Sequence, residues 1–462
     1  MALPNTFIDR FSDAFLLDSL TGKGGYIDGS GRYLIPHKRE ELEDLQRRAA
    51  FSVYENYVAD IVYTYEGYIS KQPPNRDMNP GYAAFAANAD GAGHSIDTVL
   101  QNNRILSMAL GTVWLIVDRA PIIPQTKAPQ PPPYITMRLP GQVVKYRIDG
   151  QGNLVSITFR ETVQESDVLA WWGSTILQTL MTMIGKVQYR TYTREAWIIS
   201  ADEQGRFPIA QGEHKLGRVP AVRLNSTVPL LPTQLRSDAF AFDAIQRNWR
   251  LYNKHSELDK LFRDQAFSIL TIPIANDDEA EKLRDLTVGT ENALTYNPAG
   301  GGKPGFVAPD SGPIALYQGE IDKAIEGIYE SASLKFITGV HSSGTAIAFQ
   351  FDKANSRLGV IAGQCEATER EIMQIVSGWN GEPSGTISYA RDFQLSDLAT
   401  DLKTALDART LVLSDTFQKE HQKLLAKKIL GHVAAPKTLK QIDTEIDAEK
   451  DPYGDRLAQA GL

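Results

Sequence analysis

Cysteine is almost absent from this sequence: Cys365 is the only one among 462 residues. One thiol excludes an internal disulfide and any zinc or iron–sulfur cluster built from cysteines. Packing or oligomerisation must therefore stabilise the fold, and the cysteine content is that expected of a protein in a reducing cytoplasm.

Long apolar runs are also missing. Charged residues interrupt the N-terminal segment at Asp9, Arg10, Asp13 and Asp18. No later run approaches the roughly 20 apolar residues that are needed to span a bilayer. We therefore expect neither export through an N-terminal signal nor insertion into a membrane.

The sequence has no excess of positive charge: 48 Lys and Arg residues stand against 56 Asp and Glu residues, which gives a net charge of -8. Proteins that hold nucleic acid tightly neutralise its phosphates with Lys and Arg and release counterions. Tight, sequence-specific DNA binding is therefore not expected. An acidic protein can still surround DNA, because a wall that repels phosphates lets a polyanion slide.

Motifs of catalysis and cofactor binding are absent as well. No segment has the Gly-x4-Gly-Lys-Ser/Thr spacing of a phosphate-binding loop, and no His-Glu-x-x-His pair occurs among the seven histidines. We interpret the acidic run Asp277, Asp278, Glu279 as the start of a helix, with a divalent cation site as the alternative. The apolar surroundings of Cys365 predict a small core residue. The sequence thus predicts no catalytic residue, no metal and no cofactor.

The residues that are present indicate a large folded protein of the α+β class. Hydrophobic residues make up 42% of the chain, and its length predicts two to four structural units. Apolar residues spaced three and four apart predict a helix over 40–68. The proline-rich segment 121–133 is expected to be an extended surface connection. Alternating apolar residues between turn signals predict short strands over 111–117, 141–147, 154–161, 186–192, 196–200 and 219–224.

The second half of the sequence is predicted to be mainly helical, with one small β-rich insert. The insert covers 267–310, with strands over 268–274, 293–296 and 306–308. The helices around it are predicted over 235–262, 314–335, 345–376, 395–430 and 437–447. The long helix over 345–376 has an apolar seam, which implies a large partner surface; the seam consists of Ile347, Phe351, Ala354, Leu358, Ile361, Cys365, Thr368, Ile372 and Ile375.

This order of elements resembles the portal proteins of tailed double-stranded DNA bacteriophages. The resemblance covers roughly residues 40–430, and its most specific feature is the Ser-Gly pair that opens the long helix after a helix and a short loop. The segments that carry it are YTYEGYISKQPP (63–74), WLIVDRAP (114–121), GRVPAVRLNSTVPLLP (217–232), SGTAIAFQFDKANSRLG (343–359) and YARDFQLSD (389–397).

The resemblance implies a portal-like α+β fold with a wing, a helical stem, a small β-rich clip and a helical crown. Its implied regions are 1–232 for the N-terminal part of the wing, 233–265 for the first stem helix, 266–310 for the clip, 311–336 for the second stem helix, 337–344 for the tunnel loop, 345–395 for the wing spine helix and a strand, and 396–462 for the crown and C-terminal helices.

The resemblance also implies site residues, none of them catalytic. Residues of the tunnel loop would approach DNA, and they are Lys335, Ile337, Thr338, Gly339, Val340, His341, Ser342 and Ser343. Stem charges would face the channel or a neighbouring subunit, and they are Arg247, Arg250, Lys254, Glu320, Glu326 and Glu330. Clip residues would dock the packaging ATPase or an adaptor, and they are Asp277, Asp278, Glu279 and Lys303.

The partners implied by the resemblance are those of a channel at one capsid vertex. The chain would form a homo-oligomeric ring of twelve subunits, through which double-stranded DNA passes without sequence specificity. It would bind the terminase, head-completion or adaptor proteins, and the major capsid or scaffolding protein, but no membrane. Its location would be the portal vertex of the virion, and the host cytoplasm during assembly.

Two other functions remain as alternatives. Another virion structural protein, such as a head–tail adaptor, would share the acidic charge and the missing catalytic motifs, but the order of helix, insert, helix, loop and long helix argues against it. A cytoplasmic hydrolase would need a convergent polar constellation in a pocket, and no such set is recognisable in the sequence.

Overall fold

The computed structural model contains helices and strands in one chain, which confirms the predicted α+β class. It describes residues 9–38, 40–119, 131–162, 187–231, 233–266, 269–273, 293–296, 303–307, 312–334, 344–393, 436–448 and isolated positions between 416 and 426.

The helices of the described residues are short in the N-terminal half and long in the C-terminal half. Side chains of Ser12, Asn56, Asn79 and Ser95 cap four of them by accepting a hydrogen bond from a backbone N–H of the first turn. The helices are α1 (Asp13–Thr21), α2 (Leu42–Phe51), α3 (Tyr57–Ser70), α4 (Pro80–Ala87), α5 (Ile96–Leu110), α6 (Phe242–Ala266), α7 (Gly312–Ser331), α8 (Gly344–Asn380) and α9 (Pro436–Ala448).

The strands of the described residues form four sheets. A five-stranded antiparallel sheet has the order β4-β5-β6-β7-β8, three-stranded sheets have the orders β3-β2-β9 and β11-β10-β12, and β1 pairs with β13. The strands are β1 (Asn75–Asp77), β2 (Thr112–Arg119), β3 (Pro133–Arg138), β4 (Val143–Ile148), β5 (Leu154–Thr162), β6 (Val187–Thr193), β7 (Ala196–Ser200), β8 (Pro208–Glu213), β9 (Ala221–Asn225), β10 (Ile269–Pro273), β11 (Ala293–Tyr296), β12 (Gly305–Val307) and β13 (Thr386–Ser388).

The single helix predicted over 40–68 was wrong, because the chain forms α2 and α3 with a break between them. Contacts with residues distant in sequence keep the residues between α2 and α3 out of a helix. The Tyr54 hydroxyl donates to the Ser19 carbonyl at 2.9 Å, and the Tyr54 ring stacks on Tyr26 with centroids 3.9 Å apart. Asn56 then caps α3 by accepting from the Ala59 N–H at 2.9 Å. Tertiary contacts therefore override the helical periodicity at this point.

The helix predicted to begin at residue 235 begins at residue 242 instead. The preceding residues are hydrogen-bonded to the end of α5 and the start of β2. Ser237 Oγ donates to the Gly111 carbonyl at 2.7 Å, and the Ser237 N–H donates to Thr112 Oγ1 at 2.9 Å. Gly111 has φ +88, and a Cβ there would lie 2.0 Å from the Ser237 carbonyl oxygen. This crossing thus requires glycine.

Helix α6 is covered by the N-terminal segment, for which the sequence predicted no structure. Trp249 Nε1 and Asn253 Nδ2 both donate to the Tyr33 carbonyl, at 2.8 and 3.1 Å. The Ile35 N–H donates to Asn253 Oδ1 at 2.7 Å. Asn253 is only 4% exposed. Buried polar groups need hydrogen-bond partners, and these groups are partners for each other. Their hydrogen bonds therefore fix the position of the N-terminal segment along α6.

Helix α7 lies against α6 and is also tied to α3. The Tyr65 hydroxyl donates to the Ala332 carbonyl at 2.7 Å, and the Tyr329 hydroxyl donates to Asp60 Oδ2 at 2.8 Å. Ile321 and Ile328 of this helix are buried. Helices α3, α6 and α7 therefore share one core.

The predicted long helix is confirmed as α8, which is 37 residues long. Its seam is buried from Phe351 to Ile375, and Ala354, Leu358, Ile361, Cys365, Thr368 and Ile372 lie between them with at most 2% exposure. The structure does not describe the side chain of Ile347. The partner surface of the seam includes α3, α4, β2, β9 and β13.

Other predictions differ in outcome along the chain. The six N-terminal strands predicted and the three strands of the insert are present, with ends shifted by up to two residues. Strands β1, β3 and β8 and helices α1, α4 and α5 were not predicted. Pro133 begins β3, an edge strand where the missing N–H is tolerated. Helix α9 confirms the prediction over 437–447, whereas most of 395–430 lies outside the described residues.

A substitution tests the attachment of the N-terminal segment to α6. Asn253→Ala removes the acceptor of the Ile35 N–H and one donor to the Tyr33 carbonyl, and it leaves buried groups unsatisfied. We expect the free energy of unfolding to fall by about 1 to 3 kcal/mol, measured by urea denaturation.

The matched control is Asn102→Ala, since Asn102 is an exposed asparagine of helix α5. This control should change the free energy of unfolding by less than about 0.5 kcal/mol. Equal losses in the two variants would contradict the proposed role of the Asn253 hydrogen bonds.

Candidate functional site

The first candidate surface is the pair formed by α6 and α7, which carries the six predicted stem charges. Lys254 Nζ lies 3.3 Å from Glu320 Oε2, so two of these charges pair within the chain. Lys323 Nζ lies 3.4 Å from Glu320 Oε1. Hydrogen bonds from these two ammonium groups lower the pKa of the Glu320 carboxyl. Because the groups are largely exposed, solvent screens this pairing.

The remaining predicted stem charges are exposed to solvent. The Arg247 side chain reaches α7 at Gly327. A Cβ added to Gly327 would lie only 2.9 Å from Arg247 Nη1. Arg250 is exposed on α6, and Glu326 and Glu330 are exposed on α7. The surface therefore presents positive groups from α6 beside negative groups from α7.

The predicted clip and tunnel residues are only partly described. Lys303 is exposed, and its carbonyl accepts a hydrogen bond from the Tyr296 hydroxyl at 3.4 Å. Asp277, Asp278 and Glu279 lie outside the described residues, as do Lys335, Ile337, Thr338, Gly339, Val340, His341, Ser342 and Ser343. Their predicted roles stay predictions.

The middle of α8 holds a buried ionic network that the sequence did not predict. Arg76 Nε donates to Glu369 Oε1 at 2.6 Å, and Arg76 Nη2 donates to Asp97 Oδ1 at 2.6 Å. The Tyr389 and Tyr82 hydroxyls donate to Glu369 at 2.6 and 3.0 Å. Burial raises the pKa of both tyrosines, and the adjacent carboxylate adds to the shift. The network joins α8 to β1, α4 and the segment after β13.

A second buried ion pair lies next to Cys365. Arg104 Nη2 donates to Glu66 Oε1 at 2.6 Å, and Ser70 Oγ donates to the same carboxylate at 2.6 Å. Burial raises the pKa of the Cys365 thiol to about 11. The predicted role of Cys365 as a core residue is confirmed, because the side chain is fully buried in the seam.

A third network connects the five-stranded sheet to the sheet formed by β3, β2 and β9. Arg138 of β3 and Arg190 of β6 both reach Glu161 Oε1, at 2.6 and 3.1 Å. The Tyr192 hydroxyl donates to Asp118 of β2 at 2.8 Å. Burial opposes ionisation of Glu161, but the Arg190 and Arg138 guanidinium groups hold its pKa below the ordinary value of 4.5.

Arg119, at the end of β2, is a buried cation without a carboxylate partner among the described residues. Its side chain donates to the Trp379 carbonyl at 3.2 Å and to Asn380 Oδ1 at 2.8 Å. The guanidinium also lies over the Trp379 ring, 5.0 Å from the centroid. Burial lowers the pKa of Arg119. The end of a helix favours a cation through the macrodipole of α8.

None of these networks has the composition of a metal centre or a membrane anchor. Among the described residues, no group of three or more His, Cys, Asp and Glu side chains is placed to hold a metal ion. No helix in the described ranges has the length and apolarity needed to cross a membrane. The buried networks instead pair arginine with carboxylate and tyrosine, which is an arrangement that holds elements together.

The sequence signal for these networks was weak. Glu369 lies four residues after Cys365 and three before Ile372. The sequence therefore shows a charged residue at the three-and-four spacing of the apolar seam. The sequence does not reveal its partners, because Arg76 lies 293 residues away.

Comparison with known proteins gives matches among solved structures. No protein-family model and no curated protein matches the chain. The chain is similar in structure to a chain of the neck of an empty gene transfer agent (GTA) particle computed with C6 symmetry, at 13% identity and a TM-score of 0.43. This match covers 80% of the present chain and 90% of the other.

Two further structural matches come from native GTA particles. One is a chain of the virion, at 13% identity, a TM-score of 0.42 and coverage of 91% of this chain and 99% of the other. The second is a chain of the neck computed with C12 symmetry, at 14% identity, a TM-score of 0.34 and coverage of 80% and 90%. These TM-scores are too low to establish a shared fold.

The two buried arginines are expected to differ in how much their substitution destabilises the protein. Arg104→Met leaves Glu66, whose side chain is 3% exposed, without its counter-ion. We expect a loss of about 3 to 5 kcal/mol in the free energy of unfolding. Arg119→Met leaves no carboxylate without a counter-ion, so we expect the free energy of unfolding to fall by less than about 2 kcal/mol. Urea denaturation of both variants checks this difference, and equal losses would contradict it.

The network at Glu161 predicts a specific pH dependence. The folded pKa of Glu161 is lower than its unfolded value, so the stability from ionised Glu161 is present above pH 4.5 and is lost as the pH falls through the folded pKa. Glu161→Gln should therefore lower the free energy of unfolding most at pH 7, and its deficit against the wild type should shrink as the pH falls below 4.5.

Urea denaturation across this pH range measures the effect. Glu213→Gln is the matched control, because Glu213 lies in the same sheet and its side chain is 70% exposed beside Lys215. A deficit of Glu161→Gln that stays constant with pH would show that the carboxylate is not the stabilising group.

Proposed function

We propose that this chain is the portal subunit of a tailed double-stranded DNA phage, a non-enzymatic protein that forms a ring at one capsid vertex. The observation that carries the proposal is the order from α6 onward. Two paired helices, α6 and α7, are connected through the small sheet of β10, β11 and β12, and the 37-residue α8 follows. This is the order of stem, clip, stem and wing spine implied by the sequence resemblance.

The surface of the helix pair supports assembly into a ring. Arg250 on α6 and Glu330 on α7 are exposed on adjacent helices of the pair. When identical subunits are related by rotation, a positive group of one copy can meet a negative group of the next, and such head-to-tail contacts close into rings. We propose that the stem charges stabilise contacts between neighbouring subunits.

The proposed channel follows from the charge and from the loop between α7 and α8. A net charge of -8 disfavours tight binding of DNA and allows it to slide. We propose that residues 337–343 narrow this channel and that Lys335 and His341 approach DNA phosphates, without reading the base sequence.

The proposed partners follow from the same role. We propose that the clip, with Asp277, Asp278, Glu279 and Lys303, docks the terminase during packaging and later an adaptor protein. The wing would contact the major capsid or scaffolding protein. The subunit would assemble in the host cytoplasm and remain in the virion.

The assembly state of the purified protein tests the proposal directly. We expect a closed ring of about a dozen copies with a central hole, by native mass spectrometry and class averages of single particles. Arg250→Glu places two negative groups in contact and should shift the ring towards smaller species at physiological salt.

The control is Arg206→Glu, since Arg206 is an exposed residue of the turn between β7 and β8 whose side chain pairs with Asp202. It should leave the ring intact. A wild-type protein that stays monomeric or dimeric at high concentration would overturn the proposal. A ring that is insensitive to Arg250→Glu would keep the proposal but remove this contact from it.

The tunnel loop is tested separately in a packaging assay. If Lys335 and His341 contact phosphates, Lys335→Ala and His341→Ala should reduce the amount of DNA packaged while the ring still forms. Normal packaging by both variants would remove these residues from the channel contact.

A further inference from the structure

We propose that a cleft between the five-stranded sheet and α8 binds a phosphate group. The cleft has a volume of about 390 Å³. Its walls come from the turn between β4 and β5, the turn between β6 and β7, the loop before β9, β9 itself and α8. Three guanidinium groups line it, and they belong to Arg194, Arg218 and Arg223.

Two of these arginines are held in place by carboxylates. Arg194 Nη2 lies 2.6 Å from Asp149 Oδ2. Arg218 Nη2 lies 3.0 Å from Glu371 Oε2, and its Nη1 donates to Gln374 Oε1 at 2.9 Å. Each guanidinium has five N–H donors in a planar fork, so these contacts leave donors for a ligand. The Arg194 and Arg218 side chains are 41% and 37% exposed, and they are accessible from solvent.

Arg223 provides the charge that the cleft does not balance. Its Nη1 donates to the Gln234 carbonyl at 2.9 Å, and no carboxylate pairs with it among the described residues. The three arginines carry three positive charges, and their partners Asp149 and Glu371 carry two negative charges. One positive charge in the cleft is therefore not balanced by these partners. An anion bound there would complete the pairing.

The arrangement favours phosphate over a carboxylate. A carboxylate has two oxygens, which one arginine fork can satisfy, whereas a phosphate offers more oxygens to donors that come from several directions. The three arginines come from separate segments of the chain, so their donors reach the cleft from different walls. Gly152 and Gly217 also line it, and a Cβ at Gly217 would meet no atom within 4 Å. The ligand can therefore come close to the backbone.

This site is independent of the proposed ring, because all of its residues belong to one chain. The phosphate can come from free inorganic phosphate or from the backbone of DNA. These two sources share the same chemistry, and separate titrations distinguish them.

Isothermal titration calorimetry of the full-length protein at constant ionic strength tests the site. Inorganic phosphate, a short DNA duplex and a polyglutamate peptide are titrated in turn. We expect saturable binding of phosphate to the wild type. Arg223→Gln should weaken it about tenfold or more, since it removes a charged donor.

The matched control is Arg206→Gln, because Arg206 is an exposed, ion-paired arginine in the turn between β7 and β8, outside the cleft. Binding by this variant should equal that of the wild type. Thermal melting without phosphate checks that Arg223→Gln is folded, and Arg218→Gln serves as the second variant if it is not.

Each outcome decides the proposal. Binding of both phosphate and duplex that Arg223→Gln weakens assigns the site to DNA phosphates, and binding of phosphate alone assigns it to the free ion. No saturable phosphate binding by the wild type, or equal binding by Arg223→Gln, would overturn the site. Binding of polyglutamate without phosphate would also overturn it and indicate a protein carboxylate instead.

Discussion

The carboxylate of Glu369 is fully buried in the middle of the longest helix, and the surrounding structure depends on its neutralisation. Taking a carboxylate out of water costs several kcal/mol unless partners replace its hydration. Arg76, Tyr82 and Tyr389 supply those partners, and each comes from a different part of the chain. Helix α8 therefore reaches its place only when the segments before and after it are also in place. The pairs Arg104–Glu66 and Arg48–Glu40 repeat this arrangement elsewhere in the same core.

The sequence predicted those parts of the fold that depend on local periodicity. The seam of α8 could be found because apolar residues repeat at a fixed spacing along it, and four strands of the five-stranded sheet could be found because turn signals bound their apolar residues. The break between α2 and α3 could not be found, since Tyr54 is held there by Ser19 and Tyr26. The start of α6 was misplaced for the same reason, because Ser237 bonds to residues of α5 and β2. Such contacts between distant residues produce no periodic pattern in the sequence.

The candidate site was predictable to a smaller extent. The stem charges were identified as a set, and the structure places them on α6 and α7. Their pairing was not visible, because the interaction of Lys254 with Glu320 depends on how two helices are aligned. The arginines of the proposed phosphate-binding cleft were not singled out. Arg218 and Arg223 lie in the segment 217–232 that carries the resemblance, but nothing in the sequence connects them with Arg194. The sequence also gave no sign that the N-terminal segment covers α6.

The pairing of β1 with β13 has a consequence for synthesis of the chain. Asn75 pairs with Ser388, so the N-terminal partner is made long before the C-terminal one. At about 5 to 20 residues per second, translation of the roughly 310 intervening residues takes on the order of 15 to 60 s. During this time Arg76, Tyr82 and the faces of α3 and α4 that contact α8 have no α8 to cover them. Productive folding of the nascent chain thus waits for its last third, and the waiting portion is the species most exposed to aggregation and to chaperones.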